Sequence, residues 1–282
     1  MQIKRFLVPL DGSQWSESVL PYVAQIVGAF KASVTLMAAI HNPERWAEFL
    51  VQIDTGREVD LARCYLEHQR KELADRGIDG ETRIEVVHGE PAQAILDYAR
   101  VDQVDLVAMT THGRAGITRW AWGSVADKVL HSTDLPLLLV RPLADGSQRP
   151  TQAIRKILVP LDGSELSQSV LPFAETLAKA LDASVVLFHA AARKVLAYPA
   201  PEMISMDQRV WDTIKEEATK FVTDAAADLT AKGVPAVGIT CMGQAVDRIL
   251  AAAGDQSTGL IVMSNMGGRE WAALSWAASR TP

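Results

Sequence analysis

The residues best placed to do chemistry lie between 104 and 124, V-D-L-V-A-M-T-T-H-G-R-A-G-I-T-R-W-A-W-G-S. Val104–Met109 is a short apolar run that reads as a buried parallel strand, too short for a helix of its own. Gly113 and Gly116 then mark a loop, and Gly123-Ser124 opens a helix through Val125, Ala126, Val129 and Leu130. Ser124 is predicted as the helix N-cap, with Asp127 in the first turn. A strand, a glycine loop and a helix N-terminus together form an anion site. Glycine lets a phosphate come close to the backbone, and the first N–H groups of the helix supply donors and partial positive charge.

A second candidate is Asp11, in the run VPLDGS. On its own an aspartate in D-G-S is a turn and helix-cap residue. The apolar strand before it and the glycine loop further on favour a ligand contact. His112 could touch a phosphate or simply sit in an exposed loop. His41, His68, His88, His131 and His189 form no pair at metal-ligand spacing, so no metal site is expected. No catalytic residue is predicted. The chain has no GxxxxGK[ST], no GxGxxG after a strand, no GxSxG elbow and no HExxH.

Composition narrows the function class further. The formal net charge is −6 and no basic cluster is present, which argues against a nucleic-acid partner. Cys64 and Cys241 are far apart, which fits reduced thiols in a cytoplasmic protein better than a disulfide framework or a zinc site. The N-terminal M-Q-I-K-R-F-L-V-P-L reads as a first strand rather than a signal peptide. No apolar run approaches the roughly 20 residues needed to span a membrane.

The elements that must position these residues follow from periodicity. Phe6–Leu10 is strand one, and Asp11-Gly12-Ser13 is a turn and helix start. Val19, Leu20, Val23, Ile26, Val27 and Phe30 form one helical stripe. Val34–Ile40 is strand two. Residues 42–54 are a loop in which Trp46, Phe49 and Leu50 need apolar cover. Glu58–Arg76 is a helix with Leu61, Cys64, Tyr65, His68 and Leu73 as its inner face, ended by Gly77. Thr82–Val87 is strand three, and Pro91 starts the next helix. Strand four is 104–109 and strand five 135–140. Alternating strands and helices imply a parallel sheet covered on both faces, with ligands beyond the carboxyl ends of its strands.

The chain also repeats itself. Arg5–Tyr22 matches Lys156–Phe173 at an offset of 151 residues, with VPLDGS identical in both copies. The two domains are placed at 1–143 and 154–282, joined by a polar stretch with Gly146, Ser147 and Pro150. The second copy keeps Pro160, Leu161 and Asp162, but Ala277-Ala278 stand where the first has Gly123-Ser124. Nothing in it corresponds to Val125–Arg141, so it is predicted to lack the last helix and strand.

At VPLDGS and T-T-H-G-R-A-G-I-T-R-W-A-W-G-S the chain resembles the universal stress protein family in its tandem two-domain form. The resemblance implies two Rossmann-like domains of the adenine nucleotide alpha hydrolase type, each a parallel sheet flanked by helices, with five strands in the first. The nucleotide-binding branch of that family carries Gly, two residues, Gly, nine residues, then Gly-Ser or Gly-Thr. Gly113, residues 114–122 and Gly123-Ser124 match it, and Thr110 replaces the first glycine.

The resemblance further implies a site for ATP, with or without Mg2+, in the first domain alone. Pro9, Leu10 and Asp11 would line the adenine and ribose end, and Ala39 would lie against the base. Met109 and Thr110 would close the pocket under the ribose. Gly113, Gly123, Ser124 and Val125 would hold the phosphates through N–H groups and the Ser124 hydroxyl, with Arg114 adding a charged contact. The family pairs fifth strands, and Leu135–Val140 has no counterpart in the second copy. A homodimer through 135–140 is therefore expected, unless Trp271, Leu274 and Trp276 fold back as cover. Two functions follow: a nucleotide-binding stress-response regulator, whose protein partner the sequence does not name, or a nucleotide-free interaction module. A slow ATPase is a weaker third.

Overall fold

The structure, a computed structural model, describes residues 2–41, 58–78, 80–111, 123–143, 153–191, 208–264 and 272–275. These residues fall into two compact units. The first contains β1 (Arg5–Pro9), α1 (Gln14–Glu17), α2 (Leu20–Phe30), β2 (Ser33–Ile40), α3 (Glu58–Asp75), β3 (Thr82–His88), α4 (Pro91–Val101), β4 (Leu106–Thr110), α5 (Ser124–Ser132) and β5 (Leu137–Val140). The second contains β6 (Lys156–Pro160), α6 (Glu165–Gln168), α7 (Leu171–Leu181), β7 (Ser184–Ala191), α8 (Gln208–Ala231), β8 (Ala236–Met242), α9 (Ala245–Asp255) and β9 (Leu260–Met263). A late strand, β10 (Ala272–Ser275), belongs to the first unit.

Each sheet is parallel, in the order β3-β2-β1-β4-β5 in the first unit and β9-β6-β7-β8 in the second. The expected fold class therefore holds, with four strands in the second unit and the five expected strands in the first, to which β10 is added. The inner strands read as continuous apolar runs because helices cover both of their faces. On one face of the first sheet Leu7, Met37, Val107, Met109, Leu137 and Leu139 pack with Ala92, Ile95 and Ala99 of α4 and with Ala126 and Val129 of α5. The helix α2 buries Val23, Ile26 and Val27, as its stripe predicts.

Two expectations are corrected here. The inner face of α3 is Ala62, Tyr65, Leu66, Gln69 and Leu73, so Cys64 and His68, expected inside, are exposed. Gln69, the polar residue on that buried face, has the hydrogen-bond partner described below. The second correction concerns β5. Its edge is not left without a partner strand, because β10 pairs with it in parallel, Ala273 opposite Leu138, Leu274 opposite Leu139 and Ser275 opposite Val140. The free edge on which the expected homodimer through 135–140 rested is thus taken. The run A-A-L-S lacks β-branched residues, so local propensity gives no sign of this strand. The linker, the loop with Trp46, Phe49 and Leu50, and Trp271 and Trp276 lie outside the described residues.

Candidate functional site

The site begins where β1 ends. Pro9 closes the strand, and the Leu10 N–H still donates to the Met37 carbonyl at 2.8 Å. Gly12 then turns the chain with φ 79°, a left-handed conformation that favours glycine. Asp11 fastens the turn. Its Oδ1 accepts from the Ser13 backbone N–H at 3.0 Å and from the Ser13 hydroxyl at 2.5 Å. Ser13 in turn caps α1, its Oγ accepting from the Ser16 N–H at 3.2 Å. The Asp11 N–H donates to the Ser16 hydroxyl at 3.4 Å, and that hydroxyl donates to the Ser13 carbonyl at 2.8 Å.

The second unit builds the same turn from the same residue types. The Leu161 N–H donates to the Phe188 carbonyl, and Asp162 Oδ1 accepts from the Ser164 N–H and hydroxyl. Hydrogen bonds from Ser164 and Ser167 hold the Asp162 carboxyl below the usual carboxylate range. The D-G-S turn is therefore a shared structural device, and what is particular to the first unit must lie around it.

The other wall is the end of β4. Met109, Thr110 and Thr111 are all buried. The Thr111 N–H donates to the Val140 carbonyl at 2.9 Å, and the Gly123 N–H donates to the Thr111 carbonyl at 2.7 Å. The chain that leaves β4 is thus brought back to the same point before α5 starts. This geometry corrects two expectations. The N-cap of α5 is Gly123, with φ −63° and ψ 140° and no side-chain cap, while Ser124 is the first helical residue and exposed. The Gly123 N–H, expected to face a phosphate, is spent on Thr111. The donors left at the helix start are the first-turn N–H groups of Ser124, Val125 and Ala126, which have no intrahelical acceptor, and the Ser124 hydroxyl.

Register brings these pieces together. Pro9 is paired with Met37 on one side, and Leu7 is paired with Val107 on the other, which sets Pro9 level with Met109. Ala39 lies two residues past Met37, half-buried and opposite Val87. After β1 the chain runs toward β2, and after β4 it runs toward β5, so the two exits diverge. Between them lies the crevice of a topological switch point. Pro9, Leu10 and Asp11 lie at the end of β1, Ala39 near that of β2, Met109 and Thr110 at that of β4, and Gly123, Ser124 and Val125 at the start of α5. Gly113, Arg114 and His112 lie outside the described residues. Among the described residues no group of His, Cys, Asp and Glu could hold a metal ion, and no helix is long and apolar enough to cross a membrane.

Sequence reasoning missed a cluster just behind Asp11. Glu17 Oε1 accepts from the Tyr65 hydroxyl and from the Gln69 side-chain amide, both at 3.2 Å. Burial holds the Glu17 carboxyl above its ordinary range, against the opposing pull of the Tyr65 hydrogen bond and of His68. It also missed Glu90, which caps α4 by accepting from the Gln93 N–H and receives Lys128 of α5 at 3.3 Å. The Glu17 contacts and the Glu90–Lys128 pair join residues far apart in the chain, whereas the Glu90 cap is local. Only a comparison of the two copies could have singled out Glu17, because Gln168 stands at its place in the second.

The chain is similar to known proteins along both halves. It is 34% identical over 151 residues to the universal stress protein YxiE of Bacillus subtilis, a match covering 49% of this chain and 98% of that one. It is 27% identical over 147 residues to the universal stress protein MJ0531 of Methanocaldococcus jannaschii, covering 49% of this chain and 82% of that one. Its fold resembles the crystal structure of a universal stress protein from Archaeoglobus fulgidus, with a TM-score of 0.63, 16% identity, and coverage of 98% of this chain and 99% of that one. The model of the universal stress protein family matches residues 2–141 and again 153–275, and the chain belongs to that family.

Proposed function

We propose that the first unit binds an adenine nucleotide, ATP in the first instance, in the crevice between β1 and β4, and that the protein acts as a nucleotide-responsive regulator of a stress response. One observation carries this reading. Register sets the end of β1, which leads into the Asp11 turn, level with the end of β4, where the Thr111 carbonyl takes the Gly123 N–H at the start of α5; at such a switch point a carboxylate suits ribose hydroxyls and helix N–H groups suit phosphate oxygens. Ser124 and Val125 would take the phosphates, Met109 and Thr110 the floor, and Pro9, Leu10 and Ala39 the base. A Mg2+ ion would ride on the phosphates themselves, since it keeps several of its waters.

The role is binding rather than catalysis. The carboxylates of the Asp11 turn and the cluster behind it are engaged, Asp11 by Ser13 and Glu17 by Tyr65 and Gln69, so neither is poised as a general base. Nucleotide can then act only by binding two states of the protein unequally.

The test is to denature the purified protein, identify any released nucleotide, and titrate ATP into the stripped chain. About one ATP per chain is expected, from one competent unit of two. Gly123→Ala is the matched variant. A φ of −63° suits any residue, so the added methyl obstructs phosphate approach without straining the backbone. No binding at millimolar ATP would overturn the reading in favour of a nucleotide-free interaction module.

A further inference from the structure

The second unit reproduces the Asp11 turn but not what stands behind it. At the positions of Glu17, Tyr65 and Gln69 it carries Gln168, Phe221 and Ala225. Gln168 does not reach across to α8. Its side-chain amide turns back to the Gly163 and Ser164 carbonyls. In the first unit Glu17 instead spans from α1 to the middle of α3, onto Tyr65 and Gln69, which are 0% and 4% exposed. Tyr65 also interacts with the hydroxyl of Ser16, which is itself part of the Asp11 turn. The other charged groups facing Glu17 are His68 and Glu72 of α3 and Asp11.

Removing a carboxylate from water costs free energy, and the second unit shows that the same turn and the same pair of helices form without one. All three polar residues are lost together in the copy that also carries Ala277-Ala278 where the first has Gly123-Ser124. We propose that Glu17, Tyr65 and Gln69 are positioning residues that pin the Asp11–Ser16 turn to α3 and so hold Asp11 in place for a ligand's hydroxyl groups. The pinning stands on geometry alone; its consequence for ligand rests on the nucleotide reading above.

The experiment transplants the second unit's residues into the first as Glu17→Gln, Tyr65→Phe and Gln69→Ala in the full chain. The second unit already folds around this set, so the variant is expected to melt within a few degrees of the parent. Hydrogen exchange is followed without ligand at the amides of 11–17, with 162–168 of the same chain as internal reference. Exchange at 11–17 is expected to rise about tenfold while 162–168 stays unchanged. ATP is then titrated at about pH 5.5 and 7.5, where the variant is expected to bind about tenfold more weakly and to lose the part of the pH dependence that Glu17 supplies. Unchanged exchange at 11–17 overturns the pinning. Faster exchange with ATP affinity and pH profile intact overturns the positioning role and leaves a structural tie. A parent chain that binds no ATP overturns the nucleotide reading and the ligand half with it, while the exchange data still decide the pinning.

Discussion

At the scale of single residues, the duplication lets one copy serve as the control for the other. Thr258 is buried, and its hydroxyl has no hydrogen-bond partner among the described residues. Val104 holds the same place in the first unit, with the same backbone hydrogen bond five residues back, Val104 N–H to the Ala99 carbonyl and Thr258 N–H to that of Ala253. Thr258→Val removes an unsatisfied polar atom at nearly constant shape. It should raise the stability of the second unit by about 1 kcal/mol in urea denaturation.

Glu17 behaves differently from Thr258, because what is disfavoured there is a charge and not an orphaned hydroxyl. Its carboxyl is held above the ordinary value in the folded chain, chiefly by burial. As pH rises from the unfolded value, the unfolded chain loses this proton first. The folded state then binds more protons, and stability falls until the raised folded value is passed. Glu17→Gln, which keeps an acceptor but cannot ionise, should lack this loss. Denaturation of the two chains from about pH 4 to 8 should show the parent losing ground to the variant as pH rises.

At the scale of elements, α4 and α5 pack on the same face of the first sheet, and Glu90 joins them. Its carboxylate caps α4 through the Gln93 N–H and receives Lys128 from α5. The hydrogen bond from Gln93 holds the Glu90 carboxyl below the usual range, with Lys128 adding to it. Glu90→Ala should cost the first unit about 1 kcal/mol at neutral pH, mostly as the lost cap, since the ion pair is exposed and screened. The sign of the pH dependence is opposite to that of Glu17. The stabilisation is full above the ordinary glutamate value and disappears as pH falls through the lowered one, so the parent and variant should converge in acid. Gln244, at the corresponding position in the second unit, makes no side-chain cap, and its replacement should change little.

At the scale of the whole molecule, the feature with the largest consequence is β10. It covers β5, an apolar strand of four buried residues, L-L-L-V, that would otherwise offer its backbone to another chain. Of two adjacent residues in a parallel pairing, one directs its N–H toward the neighbouring strand. Replacing Ala273 and Leu274 together by proline should therefore break the β5–β10 ladder. The variant is expected to self-associate at concentrations where the parent does not, measured by sedimentation velocity. A sedimentation coefficient equal to that of the parent would mean that β10 does not protect this edge.

Much of this protein was legible before any coordinate. The identical VPLDGS runs located both Asp turns, because a strand, a turn and a helix cap are built from neighbours in the chain. The apolar runs Phe6–Leu10 and Val104–Met109 marked the strands that frame the crevice, since helices on both faces of a parallel sheet force such runs to be apolar throughout. Family membership was legible for the same reason, as it rests on local motifs repeated at domain spacing. What the sequence could not decide were relations between distant residues. Whether Gly123 or Ser124 caps α5 depends on Thr111, whose carbonyl takes the glycine N–H. That a polar residue, Gln69, lies on the buried face of α3 goes with its partner Glu17, 52 residues before it. That β5 has a neighbour depends on A-A-L-S, which has no strand propensity and pairs because an adjacent edge needs covering. Local propensity and periodicity are properties of neighbours in sequence. Hydrogen-bond satisfaction and edge pairing are properties of neighbours in space, and only the tertiary structure settles those.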